Sequence, residues 1–199
     1  MAADFSLIAP FYDFLVRFVF GKSLWNAQRH YLGQVMPGQT VLILGGGTGR
    51  ILDWLPDDCQ ITFLEKSSRM IERAKCRREV SFIQADFLEY STKQKFDWVI
   101  CPFFLDCFDP KDLENAVAKC RTFLHSEGKL MVTDFYNQMT VWSKFKLWAM
   151  HVFFRTVSGL EARKLQDIQL VIENSGFTCL SNTLFPKHGV FSSVYISNS

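Results

Sequence analysis

Gly45, Gly46, Gly47 and Gly49 close the first apolar run of strand length, Val41 to Leu44. Glycine lacks a Cβ and accepts positive φ, so a backbone built from it turns tightly and lets a ligand approach closely. A helix starting near Gly49 would aim its first free N–H groups back at that ligand. The arrangement asks for a nucleotide-like guest, and the spacing excludes two familiar ones. A dinucleotide fingerprint requires glycine at its sixth position, where counting from Gly45 finds Arg50 and counting from Gly47 finds Leu52. A phosphate-binding P-loop ends in Gly-Lys-Ser/Thr, whereas Gly49 is followed by Arg50 and Ile51.

Two carboxylates come next, each at the end of an apolar run: Glu65, sixteen residues beyond Gly49, and Asp86, which precedes Phe87. Gly45-x-Gly47-x-Gly49 followed by Glu65 resembles the S-adenosylmethionine loop of class I methyltransferases. The resemblance implies that Glu65 takes the ribose hydroxyls, that Asp86 accepts from the adenine amino group, and that Phe87 packs on the ring. The residue chemistry suits those roles, since a carboxylate only accepts hydrogen bonds and an apolar side chain covers a flat base. Glu65-x-Ser67-x-x-Met70-Ile71-x-x-Ala74 also matches the family's run here and places Met70 near the adenosine. Ile8-Ala-Pro-Phe-Tyr-Asp13 resembles the opening of ubiquinone/menaquinone-type methyltransferases, which makes Tyr12 a candidate lid residue. Phe11, Tyr12, Leu15 and Phe18 equally fit the buried face of an amphipathic helix. The cofactor-binding set implied is Tyr12, Gly45, Gly46, Gly47, Gly49, Glu65, Lys66, Met70, Asp86, Phe87, Cys101 and Phe103.

On that reading the reaction needs no nucleophile and no metal. The sulfonium of S-adenosylmethionine is already electrophilic, S-adenosylhomocysteine is the product, and the protein has chiefly to hold an acceptor atom in line. Asp106, Tyr136 and His151 are candidates for removing a proton from the acceptor. Cys101-Pro-Phe-Phe104 differs from the Asn/Asp-Pro-Pro-aromatic run of methyltransferases acting on amino groups, and its cysteine reads as a buried structural residue. Ile43 departs from the family, which commonly has an acid two residues before the first glycine to organise the methionine end of the cofactor. Two other functions stay open: a binding or regulatory protein that keeps the fold, and an aminopropyl-transferring enzyme with Asp106 as its polyamine anchor.

The elements that must position these residues alternate. Strands are expected at 41–44, 60–64, 80–85 and 96–101, at the end of 125–134, and at 177–184 and 190–197, with helices between most of them. Ser67 or Ser68, Asp109 with Pro110, and Asp167 mark helix starts, the first helix running to about Arg78; a short helix from Arg50 to Leu55 stops at Pro56. Such alternation argues for a parallel sheet covered by helices. The resemblance completes the fold class as α/β, Rossmann-like, with a seven-stranded mostly parallel sheet, an antiparallel last strand and added N-terminal helices. A single domain is expected: a helical cap over 1–38, a cofactor-binding core over 39–134, an aromatic cover segment over 135–160 and the closing elements over 161–199.

Composition sets the remaining bounds. With 199 residues, 48% of them hydrophobic, the chain can bury one sizeable core. A net charge of +2 gives no ground for a nucleic-acid partner, and a small-molecule acceptor is expected. Six cysteines without a Cys-x-x-Cys pair, and an N-terminus without a basic leader, suggest a reduced, cytoplasmic protein without a zinc site. The apolar segments Phe5 to Phe20 and Val141 to Val157 are broken by charged residues, short of the roughly 18 uninterrupted apolar residues of a spanning helix. Peripheral membrane contact through Lys144, Lys146, Arg155 and the surrounding aromatics is conceivable.

Overall fold

The computed structural model describes residues 23–136, 166–187 and 189–198. Tyr12 and the helix expected around it, His151, and the aromatic and basic residues of the cover segment from Trp142 to Arg155 lie outside the described residues.

Seven strands form one sheet: β1 (Thr40–Leu44), β2 (Gln60–Glu65), β3 (Ser81–Gln84), β4 (Phe96–Pro102), β5 (Leu124–Phe135), β6 (Phe177–Phe185) and β7 (Val190–Ser197). Their order is β3-β2-β1-β4-β5-β7-β6. All neighbours are parallel except β7, which runs antiparallel to both β5 and β6. The continuous apolar runs follow from cover on both faces. In β1, Leu42 and Leu44 pack into a cluster with α3 (Pro110–Phe123) and α4 (Ile168–Asn174), through residues such as Val117, Phe123 and Ile172. Val41 and Ile43 pack on the opposite face with Leu52, Ala74, Trp98 and Met131.

The helices start where their caps dictate. Ser67 Oγ accepts from the Met70 N–H (3.3 Å) to open α2 (Ser68–Lys75), Asp109 Oδ1 accepts from Asp112 N–H (2.9 Å) ahead of α3, and Asp167 Oδ1 accepts from Leu170 N–H (3.1 Å) ahead of α4. Some boundaries differ from expectation, and α2 ends at Lys75 rather than near Arg78. The segment after the glycine loop is a five-residue 3-10 turn, Arg50–Trp54, with Pro56 two residues beyond its end. The described part of the helical cap expected over 1–38 is two pieces, α1 (Ser23–Arg29) and a 3-10 turn at Leu32–Gln34. The strand expected only at the end of 125–134 instead starts at Leu124 and carries a bulge: Phe96 pairs with Leu124 but Trp98 with Lys129. Among the described residues no helix is long and apolar enough to cross a membrane.

Chain order reverses at β1. The chain moves outward through β2 and β3, then returns to place β4 on the other side of β1. The loops leaving β1 and β4 therefore diverge at the carboxyl edge of the sheet and leave a crevice, the usual ligand position in this kind of sheet.

Candidate cofactor site at the carboxyl edge

The glycine loop is fixed from three sides. Gly45 donates to Leu64 O (2.9 Å), which ties the loop to the end of β2. Arg77, just past α2, donates from Nε to Thr48 O (2.9 Å) and from Nη1 to Asp53 (2.9 Å), holding loop and 3-10 turn together. Arg78 donates to the carbonyls of Leu55, Pro56 and Asp57. Together these arginines hold the loop and the 3-10 turn that follows it. Gly45 has φ +63°, and a Cβ there would lie 2.3 Å from the Phe104 ring. Gly47 has φ +57°, yet a Cβ there would meet nothing within 4 Å. The loop thus packs on protein at one glycine and opens onto free space at another.

Glu65 lies beside that space. Its Oε2 accepts from Gly47 N–H (3.1 Å) and its Oε1 from Ser67 N–H (3.0 Å), so one carboxylate is oriented by the loop and by the start of α2. One strand over, Asp86 Oδ1 accepts from Leu88 N–H (3.0 Å) and Oδ2 from Lys66 Nζ (2.9 Å). Burial pushes the Asp86 carboxyl up, but the Lys66 and Leu88 hydrogen bonds and the Lys66 charge together hold it below the usual carboxylate range. Glu65 pairs with Gln84 in register, which brings the two acids to adjacent strand ends. Lys66 sits between them, and Met70 is buried in the first turn of α2.

The loop after β4 forms the opposite wall. Phe103 adopts φ +52°, an uncommon conformation for a residue with a Cβ, while its N–H donates to Thr133 O (2.7 Å) and its ring lies 5.2 Å from that of Phe135. Asp134, wholly buried at the end of β5, organises this loop. Its Oδ2 accepts from Leu105 N–H (3.0 Å) and Asp106 N–H (3.2 Å), and its Oδ1 from Phe135 N–H (2.9 Å). Burial and then the charge of Asp106 push the Asp134 carboxyl well up, against the pull of the three N–H donors. Sequence reasoning passed over Asp134; the available signal was one acid inside the apolar run Leu130 to Phe135.

Two expected site side chains point elsewhere. The Phe87 ring is buried in edge-on contact with Phe104, Phe108 and Phe123, so core packing takes the face expected to cover a base. The Cys101 side chain is fully buried in the α3-side cluster; burial, then the neighbouring Cys120 and the charge of Asp134, push its thiol well up. Its β4 neighbours in sequence, Ile100 and Pro102, do not alter that, because alternation sends position 101 into the core. Cys107, beside Asp106, is likewise pushed well up, by burial and then by Asp106 and Asp134. Of the proton-accepting candidates, Asp106 stands on the β4 loop, and Tyr136 packs against the α3-side cluster with its N–H donating to Gly189 O (2.9 Å).

Residues 41–128 match the family model of a methyltransferase domain. No curated protein matches the chain in sequence. Among solved structures, a chain of the complex between the Haloferax volcanii Trm112 methyltransferase activator and a methyltransferase superposes with TM-score 0.75 at 15% identity, covering 100% of both chains. DhpI in its complex with SAH gives 0.70 at 17% identity over 97% of this chain and 93% of its own. The N-methyltransferase NodS from Bradyrhizobium japonicum WM9, with S-adenosyl-L-homocysteine, gives 0.65 at 16% identity over 89% and 85%. Identities this low speak to the fold, whereas the matched stretch runs from β1 into β5 and contains the glycine loop, Glu65 and Asp86. Over residues 41–128 the chain is thus similar to a methyltransferase domain, within a seven-stranded fold that it shares with methyltransferases of known structure.

Proposed function

We propose that the chain transfers the methyl group of S-adenosylmethionine to a small apolar or aromatic acceptor. The observation that carries this reading is the Glu65 carboxylate, oriented by Gly47 and Ser67 N–H groups beside the open space at Gly47, with Asp86 at the next strand end. A carboxylate offers about four acceptor positions. Glu65 thus suits ribose hydroxyls, and an ionised Asp86 suits an adenine amino group. When bound, the sulfonium supplies an electrophilic methyl group; the residues of the chain orient it, keep water out and align the acceptor. Such alignment accounts for roughly 7–11 kcal/mol of barrier lowering in favourable cases.

The acceptor side is read from the β4 and β5 ends. Phe103 and Phe135 supply an aromatic wall, which suits an apolar ring, and Asp106 on the same loop is the candidate to take a proton from an acceptor oxygen or nitrogen. The whole chain is read as one domain, with 1–38 and 135–160 as its covers and a ubiquinone/menaquinone-type enzyme as its nearest kind. Nucleic acid is not among its expected partners.

A second reading rests on Ile43, whose fully buried side chain packs among Leu52, Trp98 and Met131 at the strand position where the family commonly has an acid. A protein that binds the cofactor without turning it over, or only with an activator protein of the kind seen in the Haloferax volcanii complex, would fit that change.

Calorimetric titration with S-adenosylmethionine and S-adenosylhomocysteine separates these readings. Micromolar binding to the wild type is expected, weakened by about ten-fold or more in Glu65→Ala and in Asp86→Ala through loss of charge-assisted hydrogen bonds. Conversion of S-adenosylmethionine that depends on an added acceptor supports the enzyme. Tight binding with no turnover across a broad panel of aromatic and apolar acceptors would favour the second reading.

A further inference from the structure

β6 ends the sheet on one side: it pairs with β7 and, among the described residues, has no strand on its other side. The outward N–H and C=O groups of an edge strand form a template for another strand, and proteins commonly guard them with charge, proline or brevity. β6 has none of these guards, being nine residues long and reading Phe-Thr-Cys-Leu-Ser-Asn-Thr-Leu-Phe. Its one bulge falls where Cys179 pairs with Tyr195 and Ser181 with Val194, and Ser181 to Phe185 then stay in unbroken register with β7. The opposite edge is guarded. There β3 has only four residues, follows Arg77, Arg78 and Glu79, and has Lys75 Nζ 5.9 Å from the centroid of its Phe82 ring.

Leu180-Ser181-Asn182-Thr183-Leu184 reads nearly alike in both directions. Two antiparallel copies with Asn182 opposite Asn182 set each Leu180 against the other copy's Leu184 and each Ser181 against Thr183, so every contact is made twice. Leu180 and Leu184 are 49% and 47% exposed, and they are two of the four large hydrophobic residues exposed among the described residues. With no charge in the strand, no like charges meet across the axis. Asn182 Oδ1 accepts from Ser193 Oγ (2.9 Å), which leaves the amide N–H groups for its counterpart. We propose that β6 is the interface with a second copy of this chain, the two strands pairing antiparallel about a two-fold axis at Asn182. The two sheets then become one continuous sheet. β6 runs in the direction of β5, since both are antiparallel to β7, so the carboxyl edges of the two copies point opposite ways and their crevices stay apart.

Sedimentation velocity of the full chain across the micromolar range tests the pairing. Wild type is expected to dimerise with a micromolar dissociation constant, as suits an interface at the small end of the stable ones. Leu184→Lys and Leu180→Lys each bring a charge from both copies to the contact and should weaken the dimer by about ten-fold or more. Both positions are half-exposed, so melting temperatures should change little. Asn182→Cys places a thiol of each copy on the axis, where Cα atoms about 4.5–5.5 Å apart suit a disulfide. Oxidation with diamide should then link the dimer through position 182, located by peptide mass spectrometry. A wild type that stays monomeric throughout overturns the proposal and leaves this edge to a strand of another protein. A dimer that neither lysine variant weakens, or that yields no link through position 182, uses another face or register and overturns it as well. If one lysine variant does not fold, the other decides.

Discussion

Gly47 is the residue at which geometry and ligand approach meet. Its φ of +57° disfavours any side chain, yet a Cβ would touch nothing, so a substitution there leaves the packing of the loop unaltered and adds a methyl group to the open space. Gly47→Ala is expected to cost about 1–2 kcal/mol, the usual penalty for a left-handed residue with a Cβ. The variant should fold, melt a few degrees lower and bind S-adenosylhomocysteine at least about ten-fold more weakly, by thermal melting and calorimetry. Full affinity in a folded Gly47→Ala would move the guest away from the loop. Much of this was legible in residue types, because Gly45, Gly47, Gly49, Glu65 and Asp86 carry their chemistry in their identity and spacing. Phe87 and Cys101 were not. In a sheet covered on both faces, apolar residues line either side, and alternation alone does not tell which side a ligand shares.

At the scale of elements, the end of β5 sets the shape of the acceptor wall. Asp134 holds three backbone N–H groups, two of them from the β4 loop, so Asp134→Ala leaves buried donors without an acceptor. A loss of about 2–4 kcal/mol is expected on denaturant unfolding. The pH dependence carries a separate signature. The Asp134 carboxyl in the folded protein titrates well above its ordinary range. Its favourable protonation term is therefore fully present below the ordinary carboxylate pKa and is lost as pH rises through the raised one. Melting of wild type relative to Asp134→Asn should decline as pH rises from about 4, the ordinary carboxylate value. A difference independent of pH would mean that the carboxyl titrates alike in the folded and unfolded chain. This clamp was illegible because it depends on β5 lying beside β4, a tertiary fact. The helix caps at Ser67, Asp109 and Asp167 were legible because each acts within three residues of itself. The 3-10 turn at Arg50–Trp54 falls between: its brevity follows from Pro56, its winding from the clamp by Arg77.

Over the whole molecule, the adjacent ends of β1, β2, β3 and β4 carry the cofactor reading, so ligand binding should stabilise the domain as a unit. S-adenosylhomocysteine at about 100 times its Kd is expected to add about 2.7 kcal/mol to unfolding stability, seen as a rise in melting temperature; in Glu65→Ala, with binding about ten-fold weaker, the same concentration should add only about 1.4 kcal/mol and a correspondingly smaller rise. An unchanged melting temperature in the wild type would show that the ligand does not distinguish folded from unfolded chain. β7 has another kind of consequence. It follows the other six strands in sequence but lies inside the sheet, pairing with β5 from Lys129 to Phe135 on one side and with β6 on the other. During synthesis β5 and β6 are therefore made before the strand that joins them, and the half of the sheet that emerges first, β1 to β5, presents an unpaired edge to the cell until β7 arrives. The order in which the ribosome delivers the strands differs from the order in which they pair, and residues 190–197 decide when the sheet becomes continuous.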